Sequence, residues 1–233
     1  ERNVAGFYGY RFLKSALFHV AVVVPFYQFR GLTFGQVMLV QAVFFAAKAL
    51  MEVPTGALAD TLGRKRAMVL ASFVHSAAYL VIFASRSLPL FALGEVLSGL
   101  GMSLSSGADS ALAYDSLRAR AEERHYAGVE GRGQALRFLA MGLVPAVGGL
   151  LATRDLGLPY LASAAVIAAS AGVAAALREP PMGPGPAVAR RPGLVEVVRE
   201  GAAALRDPRL LWLTADYCYL FVGLRDAFWA CPH

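Results

Sequence analysis

GALADTLGRKR, residues 56–66, is the stretch that decides the fold. It places two glycines, one acid and three consecutive cations between two long apolar runs. We predict a loop at the membrane surface, because short charged segments of this kind separate membrane spans. Gly63 supplies the backbone freedom that a tight turn after a helix end requires. Gly56, one turn before Asp60, is expected to let another helix approach closely.

The overall composition is that of a membrane protein. Of the chain, 57% is hydrophobic and 16% is charged, against about 25% charged in soluble domains. The net charge is +6, but the cations cluster between apolar runs and form no continuous face, so we predict no nucleic-acid partner. Cys218 and Cys231 are too few for a disulfide framework or a thiolate metal cage. His19 and His75 have no ligand-type neighbours, so we predict no cofactor and no metal site.

Seven segments of the chain are long and apolar enough to span a membrane, which takes about 20 residues each. They are residues 8–29, 35–58, 67–85, 89–113, 135–153, 158–177 and 210–230. Short turns between several of them favour antiparallel neighbours. The sequence therefore predicts an all-α fold, a polytopic membrane helical bundle with about seven transmembrane helices.

The cations are distributed unevenly over the two sides of this bundle. Seventeen of the 22 Lys and Arg residues fall at the N-terminal end, in the second-to-third and fourth-to-fifth loops, and after the sixth span. Only Arg30, Arg86 and Arg154 fall in the opposite loops. The positive-inside bias then places the N-terminus in the cytoplasm. We expect a multi-pass protein of the plasma (inner) membrane.

A segment rich in proline and glycine, REPPMGPGP at residues 178–186, interrupts the pattern of spans. A helical repeat of apolar residues follows it and predicts a helix lying at the membrane interface. This helix is either a structural tether or a site for regulation or partner binding. We predict three parts: residues 1–178 as an N-terminal six-helix transmembrane half, 179–208 as a cytoplasmic linker with the interfacial helix, and 209–233 as the first helix of a second half.

The charged stretch carries a family resemblance. Gly56, Asp60, Gly63, Arg64 and Lys65 form the pattern Gly-x3-Asp-x2-Gly-Arg-Lys, which closely resembles the loop between the second and third spans of Major Facilitator Superfamily transporters. Six spans, a cytoplasmic linker and a second six also resemble this family. The resemblance implies a fragment of a secondary transporter whose complete form has about five more spans and which works by rocking its two halves around a midplane site.

The same resemblance assigns roles to the signature loop and to the fourth span. In the superfamily, an acid at the cytoplasmic end of this span pairs with the loop arginine, which here matches Asp115 with Arg64. The motifs EVPTG at residues 52–56 and SGADSALAYDSL at residues 106–117 resemble one branch of the family. The family's fourth span usually carries Arg-x-x-Gln-Gly, whereas this chain has Glu95 at the arginine position. A scheme in which this arginine couples transport to an ion is therefore not carried over from the family to this chain.

Charged residues within spans are candidates for the proton or substrate cavity, because burying a charge in lipid is costly. At 100° per residue, Glu95 and Asp109 lie about 40° apart on one helix face. Glu95 either carries a proton or hydrogen-bonds a neighbouring helix. Lys48 and Glu52, four residues apart, either neutralise each other or line the cavity. Asp226 in the seventh span completes the set.

A proline and two glycines in the fifth span predict a hinge. Pro145 frees a backbone carbonyl, while Gly148 and Gly149 permit bending and close packing. The segment is similar to the second half of the Gly-x3-Gly-Pro-x2-Gly-Gly motif of drug/proton antiporters, with Ala140 and Val144 replacing the upstream glycines. The resemblance implies antiport, and plain helix packing is the alternative.

The leading hypothesis is a secondary active transporter, monomeric in the lipid bilayer, that moves a small-molecule substrate with protons as the coupling ion. Export of a drug or metabolite is one possible direction. A sensor with the same fold but no flux is an alternative, and its mark would be a large signalling extension. An intramembrane hydrolase is disfavoured, because the chain has neither a Gly-x-Ser-x-Gly nor a His-Glu-x2-His pattern. We therefore predict no enzymatic activity.

Overall fold

The computed structural model describes residues 2–179. All regular elements in this part of the chain are helical: α1 Arg2–Ser15, α2 Val23–Phe29, α3 Phe34–Leu62, α4 Arg64–Ala84, α5 Leu88–Ser105, α6 Ala108–Arg118, α7 Tyr126–Ala152 and α8 Leu158–Ala176, with short 3-10 segments at Phe18–Val22 and Glu123–His125. The predicted all-α class is confirmed.

Six stretches of these helices are long and apolar enough to cross a membrane. They are Asn3–Phe29, Phe34–Glu52, Arg64–Ala84, Leu88–Arg118, Glu123–Ala152 and Leu158–Ala176. The six stretches correspond to the first six predicted spans. The predicted linker beyond Glu179 and the seventh span lie outside the described residues, so the division of the chain at residues 178 and 208 stays a prediction.

Helix α4 packs against both α5 and α8, while α1 packs against α7 and α8. Small residues make these contacts close: a Cβ on Gly101 would lie 2.7 Å from the Cβ of His75. Hydroxyl groups also join the helices, with Ser72 and Ser170 2.9 Å apart between their Oγ atoms. Both features are typical of helix association in lipid, where burial of apolar surface gives no driving force.

The first span, predicted over residues 8–29, is not one continuous helix. Helix α1 ends at Ser15, and α2 begins only at Val23. Pro25 in the first turn of α2 explains the break, because proline has no N–H and its ring excludes the carbonyl four residues earlier. The backbone N–H of His19, in the intervening 3-10 segment, donates to Ser163 Oγ at 3.2 Å. The broken segment is thereby fixed to α8.

The fourth span is broken as well, at Ser106 and Gly107. Gly107 has a φ of 75°, in the left-handed region that glycine adopts without strain. Helix α5 therefore stops before α6 starts in a new direction. The predicted shared stripe of Glu95 and Asp109 assumed 100° per residue across this break, and that geometry is wrong.

The charged stretch at residues 56–66 is mostly helical, contrary to the predicted loop. Helix α3 continues to Leu62 and α4 begins at Arg64, so Gly63 alone connects them. Its φ of 88° confirms the expected turn role of this glycine. The expected close approach at Gly56 is not made, since no described atom lies within 4 Å of the position a Cβ would take.

The fifth span begins nine residues earlier than predicted, because α7 starts at Tyr126. Arg132 and Arg137, which we counted with the cations of the fourth-to-fifth loop, both lie inside α7. Arg11 and Lys14 likewise lie within the first span. Even without these residues, the remaining cations favour the same side of the bundle, and the orientation stays a prediction.

A labelling experiment tests this topology. Single cysteines at Thr61 and Arg86, in a version lacking Cys218 and Cys231, are probed with a membrane-impermeant thiol reagent in intact cells. We expect labelling at position 86 only, because the charge distribution predicts that position 61 is on the cytoplasmic side. Permeabilised cells provide the control, in which both positions should react. Labelling of position 61 from outside would reverse the orientation.

Candidate functional site

A buried ion network joins three spans through Arg11 of α1. Its Nε lies 3.1 Å from Asp109 Oδ2 of α6, and its Nη1 lies 2.6 Å from Glu130 Oε1 of α7. Its Nη2 donates to Ser110 Oγ at 2.6 Å. Arg11 is 5% exposed and Asp109 only 2%. Such charges need partners inside a membrane protein, and each of these finds its partner on another helix.

Asp109 is engaged through both carboxylate oxygens. Lys14 Nζ lies 2.7 Å from Oδ2, the atom that Arg11 also contacts. The backbone N–H of Ser110 donates to Oδ1 at 2.9 Å. Asp109 therefore holds two cations of α1, a structural role that the sequence did not reveal. The only sequence signal was an Arg and a Lys three residues apart within an apolar run.

Glu95 lies in a different environment from Asp109, near the other end of the fourth span. It is 7% exposed, and Tyr27 OH donates to its Oε1 at 2.5 Å. The ring of Phe91 packs against Tyr27, and Tyr79 and Tyr160 belong to the same buried cluster. Within residues 2–179 no cation pairs with Glu95. This is a carboxyl group in an aromatic shell with one hydrogen-bond donor.

A cavity of about 210 Å³ lies where the breaks in the first and fourth spans come together. Ser15 and Leu17 border it from the first break, and Ser105 and Ser106 from the second. The other lining residues are Lys14, Lys48, His75, Met102, Arg137 and Met141. Five of the six spans therefore contribute to a single cavity.

Lys48 and Glu52 do not pair with each other in the described part of the chain. Lys48 lines the cavity, whereas Glu52 accepts a hydrogen bond from Ser106 Oγ at 2.7 Å. Of the two alternatives for this pair, mutual neutralisation is therefore not the one observed. The two side chains diverge because Glu52 finds a donor at the break in the fourth span.

At the end of the bundle where α3 meets α4, Arg64 Nη1 lies 3.1 Å from Asp115 Oδ2. The contact that the resemblance implied is thus present, although each side chain is about one-third exposed. A Cβ on Gly63 would meet only the movable carboxylate end of Glu179, so the restriction at this turn comes from the positive φ of Gly63. The side chain of Asp60 lies outside what the structure describes. A conformational role for Asp60, Arg64 and Lys65 stays a prediction.

The three candidate hinge residues differ in their surroundings. Pro145 lies inside α7, which continues through it. A Cβ on Gly148 would overlap the backbone carbonyl oxygen of Phe18. Around Gly149 nothing lies within 4 Å of that position. Gly148 is therefore a packing site against the broken first span, and a hinge role for the segment stays a prediction. Asp226 lies outside the described residues.

The family model of the Major Facilitator Superfamily matches residues 8–225. The chain belongs to the Major Facilitator Superfamily. No curated protein matches it in sequence. As a member of this superfamily, the protein is a multi-pass membrane transport protein that binds a small-molecule substrate. Superfamily proteins are in general transporters rather than enzymes.

Proposed function

We propose that the protein is a secondary active transporter that moves a small solute by alternating access, with the proton as coupling ion. The observation that carries this proposal is the meeting of two broken spans at one cavity. Transporters bind substrate near the bilayer midplane between discontinuous helices, since irregular backbone is tolerated at that depth only around a cavity.

Four of the cavity residues, on α3, α4 and α7, lie close to the middle of their helices, and the others lie at or near the two breaks. Lys48 is the central residue of the 29-residue α3. His75 is one residue from the centre of the 21-residue α4. Arg137 and Met141 lie two residues either side of the centre of the 27-residue α7. A helix that crosses the bilayer places its central residues at the midplane, which supports a substrate site here.

Glu95 is the group that we assign to proton coupling. Its titratable neighbours are Tyr27, Tyr79 and Tyr160, and no cation among residues 2–179 neutralises it. Asp109 already has two cationic partners. Glu95 is therefore the buried carboxyl group of the fourth span that a proton, and not a side-chain cation, can neutralise.

Glu95→Gln keeps the shape of this side chain and removes its titration. We expect the pH-difference infrared spectrum of the purified full-length protein to lose a protonated-carboxyl band in this variant. In proteoliposomes, exchange of a small solute should continue but lose its dependence on pH. The control is Glu123→Gln at an exposed position, which should leave spectrum and pH profile unchanged. If the spectrum and profile of Glu95→Gln match those of the parent, Glu95 is structural and another group carries the proton.

The direction of transport is a further part of the proposal. The segment of Pro145, Gly148 and Gly149 is similar to half of the antiporter motif, and Gly148 packs against the broken first span that borders the cavity. These features favour export of a drug or metabolite by proton antiport. We further propose that the protein acts as a monomer in the plasma membrane, with its N-terminus in the cytoplasm.

A further inference from the structure

We propose that the central cavity takes a small organic anion, so that the transported substrate is an organic acid or its phosphate equivalent. This inference rests on the proposed transport function and specifies its substrate class. Its basis is the charge of the cavity lining, which comprises Lys14, Lys48 and Arg137 as well as His75, but no aspartate or glutamate from residues 2–179.

The described residues do not neutralise all the cations of the cavity. Lys14 pairs with Asp109 at 2.7 Å. Lys48 and Arg137 have no carboxylate within ion-pair distance among residues 2–179. The remaining acid near the cavity is Glu52, which is exposed and accepts a hydrogen bond from Ser106. Lys48 is half-buried, and Arg137 is exposed like Glu52. The described lining therefore carries an excess of positive charge close to mid-span, where an unpaired charge is costly.

A ligand with anionic oxygens would match the donors that line the cavity. Lysine and arginine side chains only donate hydrogen bonds, and carboxylate and phosphate oxygens only accept them. His75 adds a second, independent observation: it is 6% exposed, it lines the cavity, and its Nε2 has no hydrogen-bond partner in the described structure. Buried polar atoms normally have a partner, and a bound ligand would supply one.

The rest of the lining sets the type of anion. Leu17, Met102 and Met141 give the cavity apolar walls, and methionine adapts readily to ligands of different shape. About 210 Å³ is small compared with drug-binding pockets of roughly 300–1,000 Å³. An acid group on a compact apolar body fits these walls. A lipid headgroup does not, because it lies at the membrane surface and the cavity lies at mid-span.

The charge of the cavity can be measured without knowing the substrate. Met141 lines the cavity and is 49% exposed, so a cysteine at this position is accessible. In the full-length protein lacking Cys218 and Cys231, Met141→Cys is reacted with two methanethiosulfonates of similar size, one anionic and one cationic. We expect the anionic reagent to be favoured roughly tenfold relative to a free thiol in solution, because a cationic cleft concentrates anions.

Further substitutions, each added to Met141→Cys, identify the residues that cause this preference. Adding Lys48→Gln or Arg137→Gln should each reduce the ratio of the two rates severalfold. Adding Arg132→Gln, on the same helix but outside the cavity lining, should leave it unchanged. Lys48→Arg keeps the positive charge and should keep the ratio measured without a substitution at Lys48, which separates an effect of charge from a folding defect. A ratio equal to that of the free thiol, or one insensitive to Lys48 and Arg137, would overturn the proposal.

Binding is then tested on the purified full-length protein with matched probes: benzoate, phenyl phosphate, benzamide and benzylamine. We expect an anionic probe alone to raise the melting temperature, and Lys48→Gln or Arg137→Gln to weaken its binding about tenfold. Benzoate against phenyl phosphate distinguishes carboxylate from phosphate. Equal effects of the anionic, neutral and cationic probes, or no effect of any anion, would refute an anion site.

Flux of the same probes in proteoliposomes separates this inference from the proposed function. Movement of benzamide or benzylamine without binding of either anion would leave transport standing and reject the anion site. Binding of an anion with the expected dependence on Lys48 and Arg137, but without flux, would support the site and reject transport.

Discussion

Replacing Arg11 by methionine is expected to lower the free energy of unfolding by about 3–5 kcal/mol, the usual effect of removing one partner from a buried ion pair. Arg11 is the cation that contacts both Asp109 and Glu130. Without it, Asp109 keeps Lys14, but Glu130 keeps only the neutral donors Tyr126, Gln134 and Ser110. The contacts that join α1 to α6 and α7 would be weakened together.

Thermal unfolding of the purified protein in detergent measures this effect. The control is Arg124→Met, an exposed arginine in the short helix before α7, which should change stability by less than about 0.5 kcal/mol. Adding Glu130→Gln to Arg11→Met should recover part of the loss, because it removes the stranded charge. Equal melting temperatures of the Arg11 and Arg124 variants would show that the network contributes little.

The second large effect is expected at Gly148, where α7 meets the 3-10 segment of the first span. Gly148→Ala would place a methyl group onto the carbonyl oxygen of Phe18, and overpacking of this kind typically costs about 1–3 kcal/mol. Gly149→Ala next to it meets open space. Because alanine is the better helix former, that change should be neutral or stabilise by up to about 1 kcal/mol.

The two alanine variants form a matched pair, since they alter adjacent residues of one helix by the same single carbon. Melting temperatures in detergent and the yield of folded protein should separate them, with Gly148→Ala lower in both. If both variants behave alike, α7 and the first span do not pack as closely as the structure shows.

The apolar runs predicted the six spans of the described part because length and hydropathy suffice to identify a membrane helix. The breaks at residues 16–22 and 106–107 were missed for two different reasons. Pro25 disrupts the helical turn that precedes it, so the irregular residues 16–22 show no unusual sequence pattern themselves. Gly107 lies among other small residues, and its left-handed backbone depends on how α5 and α6 pack.

The sequence was less informative about the site. Arg11, Lys14 and Arg137 were counted with the cytoplasmic cations, because a cation near the end of an apolar run is indistinguishable from a topological signal. Their partners lie on other helices, about 100 residues away in the chain for Arg11 and Asp109. Asp115 with Arg64 was found only through the family resemblance. The cavity could not be predicted from the sequence, because it forms only where the breaks of two spans come together in the folded structure.

Gly63 has a mechanical consequence. Helix α3 has 29 residues, or roughly 44 Å at 1.5 Å per residue, which exceeds the hydrocarbon thickness of about 30 Å. Because a single residue joins α3 to α4, no loop between the two helices can absorb a change in their relative orientation. Any tilt of α4 must be absorbed by the two backbone dihedral angles of Gly63 or be passed to α3. Displacement where Arg64 meets Asp115 is therefore passed directly into α3, and Pro54 is the point at which α3 can bend before the motion reaches the depth of Lys48.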